Sequence, residues 1–167
     1  IASPPKNATG TADAAGRFKP VKVELEPTEV AAIIAALPVR GRGGSAPRAY
    51  YTVLYETGLR HSTMASLRAP DDYRRGAADL TIRDEVDKTR FGRVLPLSAR
   101  ARSALDEVCP DLGLVFGERR LRDTLRAAAV AGGVGALNAR HVSDHDFRHA
   151  RITHLLEASQ NLVGTAY

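Results

Sequence analysis

The segment HDFRHARITHLL, residues 145–156, places two histidines and an arginine in front of an apolar helical pattern. His145 and Arg148 are three residues apart, so on a helix they share a face. Such a face either presents cations to something anionic or is a solvated first turn. Two more cations stand at chain positions of the same kind. Arg60 follows Gly58 and Leu59 at a helix boundary, and Lys88 falls in a predicted hairpin turn. Taken singly, each has a plain structural reading: a solvated arginine, an idle turn lysine, a histidine cap. Taken together they are a spread-out set of cations, and the case for a shared role rests on their co-occurrence with the surrounding apolar pattern.

Other chemistries fit less well. His141, His145 and His149 recur every four residues, which on one helix would align three imidazoles as metal ligands. But residues 138–143 read as a loop with Ser143 as helix cap, which leaves His141 off the helix. The glutamate of a zinc-protease motif is also missing, so no metal is expected. GRGGS (41–45) lacks the Gly-Lys-Ser/Thr that grips a nucleotide, and AGGVG (131–135) follows a helix, so both read as turns. No serine sits in a Gly-x-Ser-x-Gly elbow. No pair of helices stands out as a helix-turn-helix.

These residues must be held by a fold, and 167 residues with 44% hydrophobic content suffice for one domain with a core. The net charge of +5 points weakly to nucleic acid or another polyanion. The single cysteine, Cys109, excludes an internal disulfide framework and any cysteine-based zinc cluster, in keeping with a reducing cytoplasm. No apolar run is long enough to span a bilayer, and IASPPKNATG has no signal pattern. Without Met, it reads as the start of an internal fragment.

The expected fold is α+β, mostly α, with a small antiparallel sheet. Residues 1–20, rich in Ala, Gly, Pro, Ser and Thr, read as a linker or arm, and residues 21–167 as the folded domain. EPTEVAAIIAALP predicts a helix opening at Pro27, with Val30, Ile33 and Ile34 as its apolar stripe. SAPRAYYTVLYETG predicts a helix capped by Ser45 and stopped by Gly58. A short helix ended by Pro70 follows. ADLTIRDEVDKTRFGRVLPLS changes period, with Leu80 and Ile82 alternating with polar residues, and predicts two or three short strands. Ser98 caps a helix to about Val108, another runs from Arg119 to Val130, and Ser143 caps the helix of residues 145–156. That helix is expected to bury Ile152, Leu155 and Leu156 behind its cationic first turn. Asn161 begins a further segment, which stops at Tyr167.

Three of these stretches together resemble the tyrosine recombinases, the phage-integrase type of site-specific DNA recombinase. YETGLRHSTMASLR (55–68) looks like the family's first box, Thr-Gly-Leu-Arg before a helix. KTRFGRVLPL (88–97) looks like its lysine hairpin. HDFRHARITHLLEAS (145–159) looks like its second box, His-x-x-Arg-His followed by Thr, His and two Leu. The three occur in family order. The type IB topoisomerases use a similar set, but the compact order of boxes favours the recombinases.

The resemblance implies a helical catalytic domain over residues 21–167. It implies a chemistry in which a tyrosine hydroxyl attacks a DNA phosphodiester, leaving a 3′-phosphotyrosine and a 5′-hydroxyl. Arg60 and Arg148 would hold the non-bridging oxygens, His145 would donate a hydrogen bond or handle a proton, and Lys88 would protonate the departing oxygen. No cofactor is implied. The implied partners are double-stranded DNA and further protomers on paired sites, a tetramer in the family, with DNA integration or recombination in the cytoplasm as the setting. His149 and His154 are expected to play structural parts.

Two departures stand out. The family usually carries an acidic residue three positions after the first-box arginine, where this sequence has Thr63. The family's Gly-His pair and nucleophilic tyrosine lie further beyond the second-box arginine than this sequence reaches. Tyr167 comes too early to be that nucleophile. The 167 residues alone are therefore expected to be monomeric and catalytically incomplete. The alternatives are a non-catalytic DNA-binding remnant or regulator, and a helical interaction domain indifferent to DNA.

Overall fold

A computed structural model of the chain describes residues 23–86, 90–117 and 121–164, the last five of these as backbone. The predicted arm, Lys88 and Tyr167 lie outside the described residues.

Helix α1, Pro27–Ala36, starts where the sequence places it. Proline at its first position gives up no needed N–H, and Glu26 and Glu29 form a reciprocal capping box. Val30, Ile33 and Ile34 form its buried face. Helix α2, Pro47–Thr57, ends as expected at Gly58, whose φ of 64° is left-handed. Its start differs from expectation. Ser45 is not the cap, because its hydroxyl donates to the Arg42 carbonyl at 2.9 Å and closes a 3-10 turn over Arg42–Gly44. Ala46 takes the cap position and Pro47 presets the first helical φ. Arg48 reaches back to the Leu37 and Ala35 carbonyls at 2.9 and 3.0 Å, satisfying the end of α1.

Helix α3, His61–Ser66, stops four residues before Pro70. The chain leaves it early because Leu67 is extended and its carbonyl accepts from Val115 N–H at 2.8 Å. This leads into a small pairing that the sequence did not announce, strand β1 (Arg68–Ala69) antiparallel to β4 (Gly113–Leu114). The expected hairpin is present as β2 (Asp79–Ile82) antiparallel to β3 (Arg93–Pro96), with Leu80 opposite Leu95. Leu80 and Ile82 point inward and Asp79 and Thr81 outward, as the alternation requires. Asp72 and Arg83 tie the base of this hairpin by a bidentate ion pair at 2.7 and 3.1 Å. Among the described residues, a second two-stranded sheet thus joins the one expected.

Helix α4, Ala99–Val108, is capped by Ser98, whose hydroxyl accepts from Ala101 N–H at 3.1 Å. Helix α5, Arg122–Ala131, begins three residues later than predicted. Gly132, in the turn after it, lies against α1. A Cβ there would stand 3.0 Å from Ile33 N and 3.1 Å from Ala32 C, so any other residue would push the α1 backbone away by a few tenths of an ångström. Residues read as loop contain a short helix α6, Ala136–Ala139, which leaves His141 outside the helix that follows, as expected.

Helix α7 runs unbroken over Asp144–Gly164. The new segment expected at Asn161 is its last turn, because no glycine or proline interrupts the run before it. Its buried face is also not the predicted one. Phe147 and Ala150 are 0% and 6% exposed, while Ile152, Leu155 and Leu156 are 39%, 50% and 56% exposed. The helix packs its buried side chains on α2 in its first two turns, with the Phe147 and Tyr51 rings 5.1 Å apart; a turn further on Arg151 and His154 still meet Tyr55, but Ile152, Leu155 and Leu156 lie uncovered by the described residues.

Candidate functional site

Three elements converge on one cavity of about 1150 Å³. Arg60 and His61 come from the corner between α2 and α3, and Arg122 and Arg126 from α5. Asp144, His145, Arg148 and His149 come from the first turns of α7. Arg60, His145 and Arg148, spread over 89 positions of sequence, are thereby brought together. Lys88, the fourth residue of the expected set, is outside the described residues. The segment that leads toward it forms a 3-10 turn over Asp84–Val86.

The corner is built by local chain geometry. Gly58 ends α2 in the left-handed region, Leu59 is buried, and Arg60 is the extended residue that opens α3. Arg148 reaches across from α7 and its Nη1 donates to the Gly58 carbonyl. The guanidinium is thus fixed to the backbone two residues before Arg60. His145 and His149, one helical turn apart, approach with their Nε2 atoms 2.7 Å from each other. At that distance one nitrogen donates and the other accepts, so the pair holds at least one proton between the two rings. His149, expected to be only structural, lies on the cavity. His154 does not, and pairs with the Tyr55 hydroxyl at 2.8 Å.

The start of α7 is held by a network that the sequence did not reveal. Ser143 donates from its backbone and hydroxyl to Asp146 Oδ2 at 2.9 and 2.6 Å, which closes the helix entrance. Asp144 accepts from the Tyr51 hydroxyl at 2.7 Å and the Tyr50 hydroxyl at 3.1 Å, and meets His61 Nδ1 at 2.7 Å. Burial first, then the Asp144 charge and hydrogen bond, push both tyrosine hydroxyls well above their ordinary range. They therefore stay protonated and serve as donors, clamping α7 to α2 through one carboxylate. The partners are 93 and 94 positions apart, so no periodicity or local motif points to them.

Two cavity cations also escaped the sequence reading. Arg122 and Arg126 stand one turn apart on α5, and Arg126 Nε is buried without a hydrogen-bond partner among the described residues. Their spacing of four was a usable signal, because it places both on one face. Thr63, at the position where the resembled family carries an acid, is buried, and its hydroxyl donates to the Val86 carbonyl at 3.3 Å. It ties α3 to the segment that leads toward Lys88. Among the described residues no group of three or more His, Cys, Asp or Glu is placed to hold a metal ion. None of the described helices is long and apolar enough to cross a membrane.

A helical domain with an arginine corner facing a His-x-x-Arg helix start over a cationic cavity is the arrangement that comparison with known proteins identifies. Residues 24–164 match the phage integrase family, and the chain belongs to that family, the tyrosine recombinases. It is 30% identical over 142 residues to tyrosine recombinase XerC of Neisseria meningitidis serogroup B, a match covering 75% of this chain and 44% of that protein. XerC of Neisseria gonorrhoeae matches over the same shares at the same identity. The crystal structure of XerA recombinase superposes with a TM-score of 0.62 at 20% identity, over 84% of this chain and 51% of that one. The likeness shows the fold, mostly α with small antiparallel sheets. The chain spans about half the length of these relatives.

Proposed function

We propose that residues 21–167 are the phosphodiester-binding part of a site-specific DNA recombinase catalytic domain, reached by an N-terminal arm over residues 1–20. The reaction is strand cleavage and rejoining through a 3′-phosphotyrosine. The observation that carries the reading is the convergence of Arg60, His145 and Arg148 on one cavity. A phosphate seated there meets guanidinium forks from two sides, one of them already tied to the backbone at Gly58. His145 supplies a donor to the charge that builds on the non-bridging oxygens, and Lys88 the proton for the departing 5′-oxygen. Arg122 and Arg126 extend the cationic wall along the DNA. The partners are duplex DNA and further protomers on paired sites, and the setting is the bacterial or phage chromosome.

On this reading none of the described tyrosines is the nucleophile, and Tyr167 comes too early to be it. The Tyr50 and Tyr51 hydroxyls are bound to Asp144, that of Tyr55 to His154 and that of Tyr73 to Asp106. The 167 residues by themselves are therefore expected to bind duplex DNA as monomers and form no covalent adduct. Binding should weaken by at least about a hundredfold between roughly 50 and 200 mM salt, since phosphate contacts release counterions. Salt-independent binding, or none, would sink the reading. Joined to the family's Gly-His and tyrosine segment, the chain is expected to trap on a nicked duplex as a protein–DNA adduct. Arg148→Ala should then abolish the adduct with only modest loss of affinity. A joined chain that binds and never traps is instead a non-catalytic DNA-binding relative.

A further inference from the structure

His61 is a third imidazole on the cavity, separate from the His145–His149 pair, and no role has yet fallen to it. Its Nδ1 lies 2.7 Å from Asp144 Oδ2 and 2.7 Å from the Tyr50 hydroxyl oxygen. A bare imidazole nitrogen and a carboxylate oxygen are both acceptors and would repel at that distance. Nδ1 therefore carries the proton and donates it toward Asp144. The two tyrosine hydroxyls, kept protonated by burial beside the carboxylate, also donate to Asp144, Tyr51 at Oδ1 and Tyr50 at the same Oδ2 that His61 meets. The ring is thus oriented by its Nδ1 edge. Nε2, on the opposite edge, has no hydrogen-bond partner among the described residues. His145 differs in this respect, because its Nε2 already faces His149 Nε2. The position is also fixed by the chain, since His61 directly follows Arg60 at the corner that lines the cavity.

We infer that His61 is a further phosphate-contacting residue of this cavity, held by Asp144 with Nδ1 protonated so that Nε2 meets a phosphate oxygen. This rests on the phosphodiester reading above. Nε2–H donates to a non-bridging oxygen when the ring is imidazolium, with the Asp144 carboxylate balancing its charge. Asp144 acts through His61 and is a positioning residue. The groups around the ring are Asp144 and His145 from α7, Tyr50 from α2 and Arg60 beside it in the chain.

The test titrates the 167-residue chain with inorganic phosphate near pH 6 and follows the histidine ring nitrogens by NMR. His61 should report a protonated Nδ1 without ligand, and its Nε2 resonance should move along the same saturation curve as His145. His61→Ala should weaken phosphate binding by about tenfold, the size expected for one charge-assisted hydrogen bond. His61→Gln, which keeps an amide donor, should recover part of that loss. Asp144→Asn should weaken binding less and blur the Nδ1 preference, and the backbone amide spectrum of each variant checks that α7 stays docked. A purely structural histidine predicts no movement of Nε2 and wild-type affinity in His61→Ala. That result, with Arg148→Ala still crippling phosphate binding, would overturn this inference and leave the phosphodiester cavity standing. If Arg148→Ala and Arg60→Ala bind phosphate as wild type does, both fail together.

Discussion

The two ends of α7 are built on opposite principles. Its first two turns carry most of the charge-bearing side chains and are the best anchored part, through Phe147, Ala150, the Ser143–Asp146 entrance and the Asp144 carboxylate. Its later turns carry Ile152, Leu155 and Leu156 and are held by far less. Apolar content alone would assign the anchoring the other way round. Burial in this helix is deepest at Phe147 and Ala150, beside the turns that present cations, while further on Arg151 and His154 meet only Tyr55 at the edge of α2. The proposed phosphate role would draw on that rigidity, because donors must be held within a few tenths of an ångström to act.

Phe147→Ala should hurt most, because it empties a fully enclosed site between α7 and Tyr51. A loss of about 3–5 kcal/mol is expected in denaturant unfolding, enough to threaten folding altogether. Raising the pH attacks the same end chemically. The Tyr50 and Tyr51 hydroxyls have folded pKa values raised above the unfolded value of 10.0. Their contribution is whole below pH 10 and is lost as pH rises from there toward the folded values. The two together should cost about 3 kcal/mol by pH 11, read as a falling unfolding midpoint. Tyr51→Phe should cost about 1–3 kcal/mol at neutral pH by leaving one Asp144 oxygen without its donor, and should also flatten that alkaline slope. If the slope is unchanged, the clamp is not what holds the helix start. At the other end, Leu156→Gln should change stability by less than about 0.5 kcal/mol. A large loss there would mean that the apolar turns are covered after all and would erase the contrast.

The same contrast marks what the sequence could disclose. Pro27, Gly58 and Ser98 act on the backbone within a turn of themselves, so each could be read in place, and each sits where expected. Leu80 and Ile82 announce an inward face by alternation alone. Ser45 misleads because a serine hydroxyl can close a preceding turn as readily as cap a following helix. The apolar residues of α7 mislead because period identifies a helix and its stripe but not which part of the stripe finds a partner. Arg60, His145 and Arg148 were legible as a set only through family likeness, and their shared cavity bears on where they stand, not on what each does. Asp144, His61 and the paired tyrosines were out of reach because their association is purely tertiary. The two-residue strands β1 and β4 are too short to carry a period at all.

The contact between Arg148 and the Gly58 carbonyl has one more consequence. Arg60 lies two residues beyond Gly58, so the backbone between the tied point and the second guanidinium's own residue spans at most about 7 Å. The separation of the two arginines is therefore gauged by a short piece of covalent chain. The docking of α7 on α2 brings Arg148 within reach, and this one contact then sets its spacing from the corner. Drift in the core can move α2, the corner and α7 as one body while the gauge length stays the same. A side chain at Gly58 would disturb it directly by straining the left-handed turn, even though Arg151 Cγ, 3.6 Å away, leaves it room.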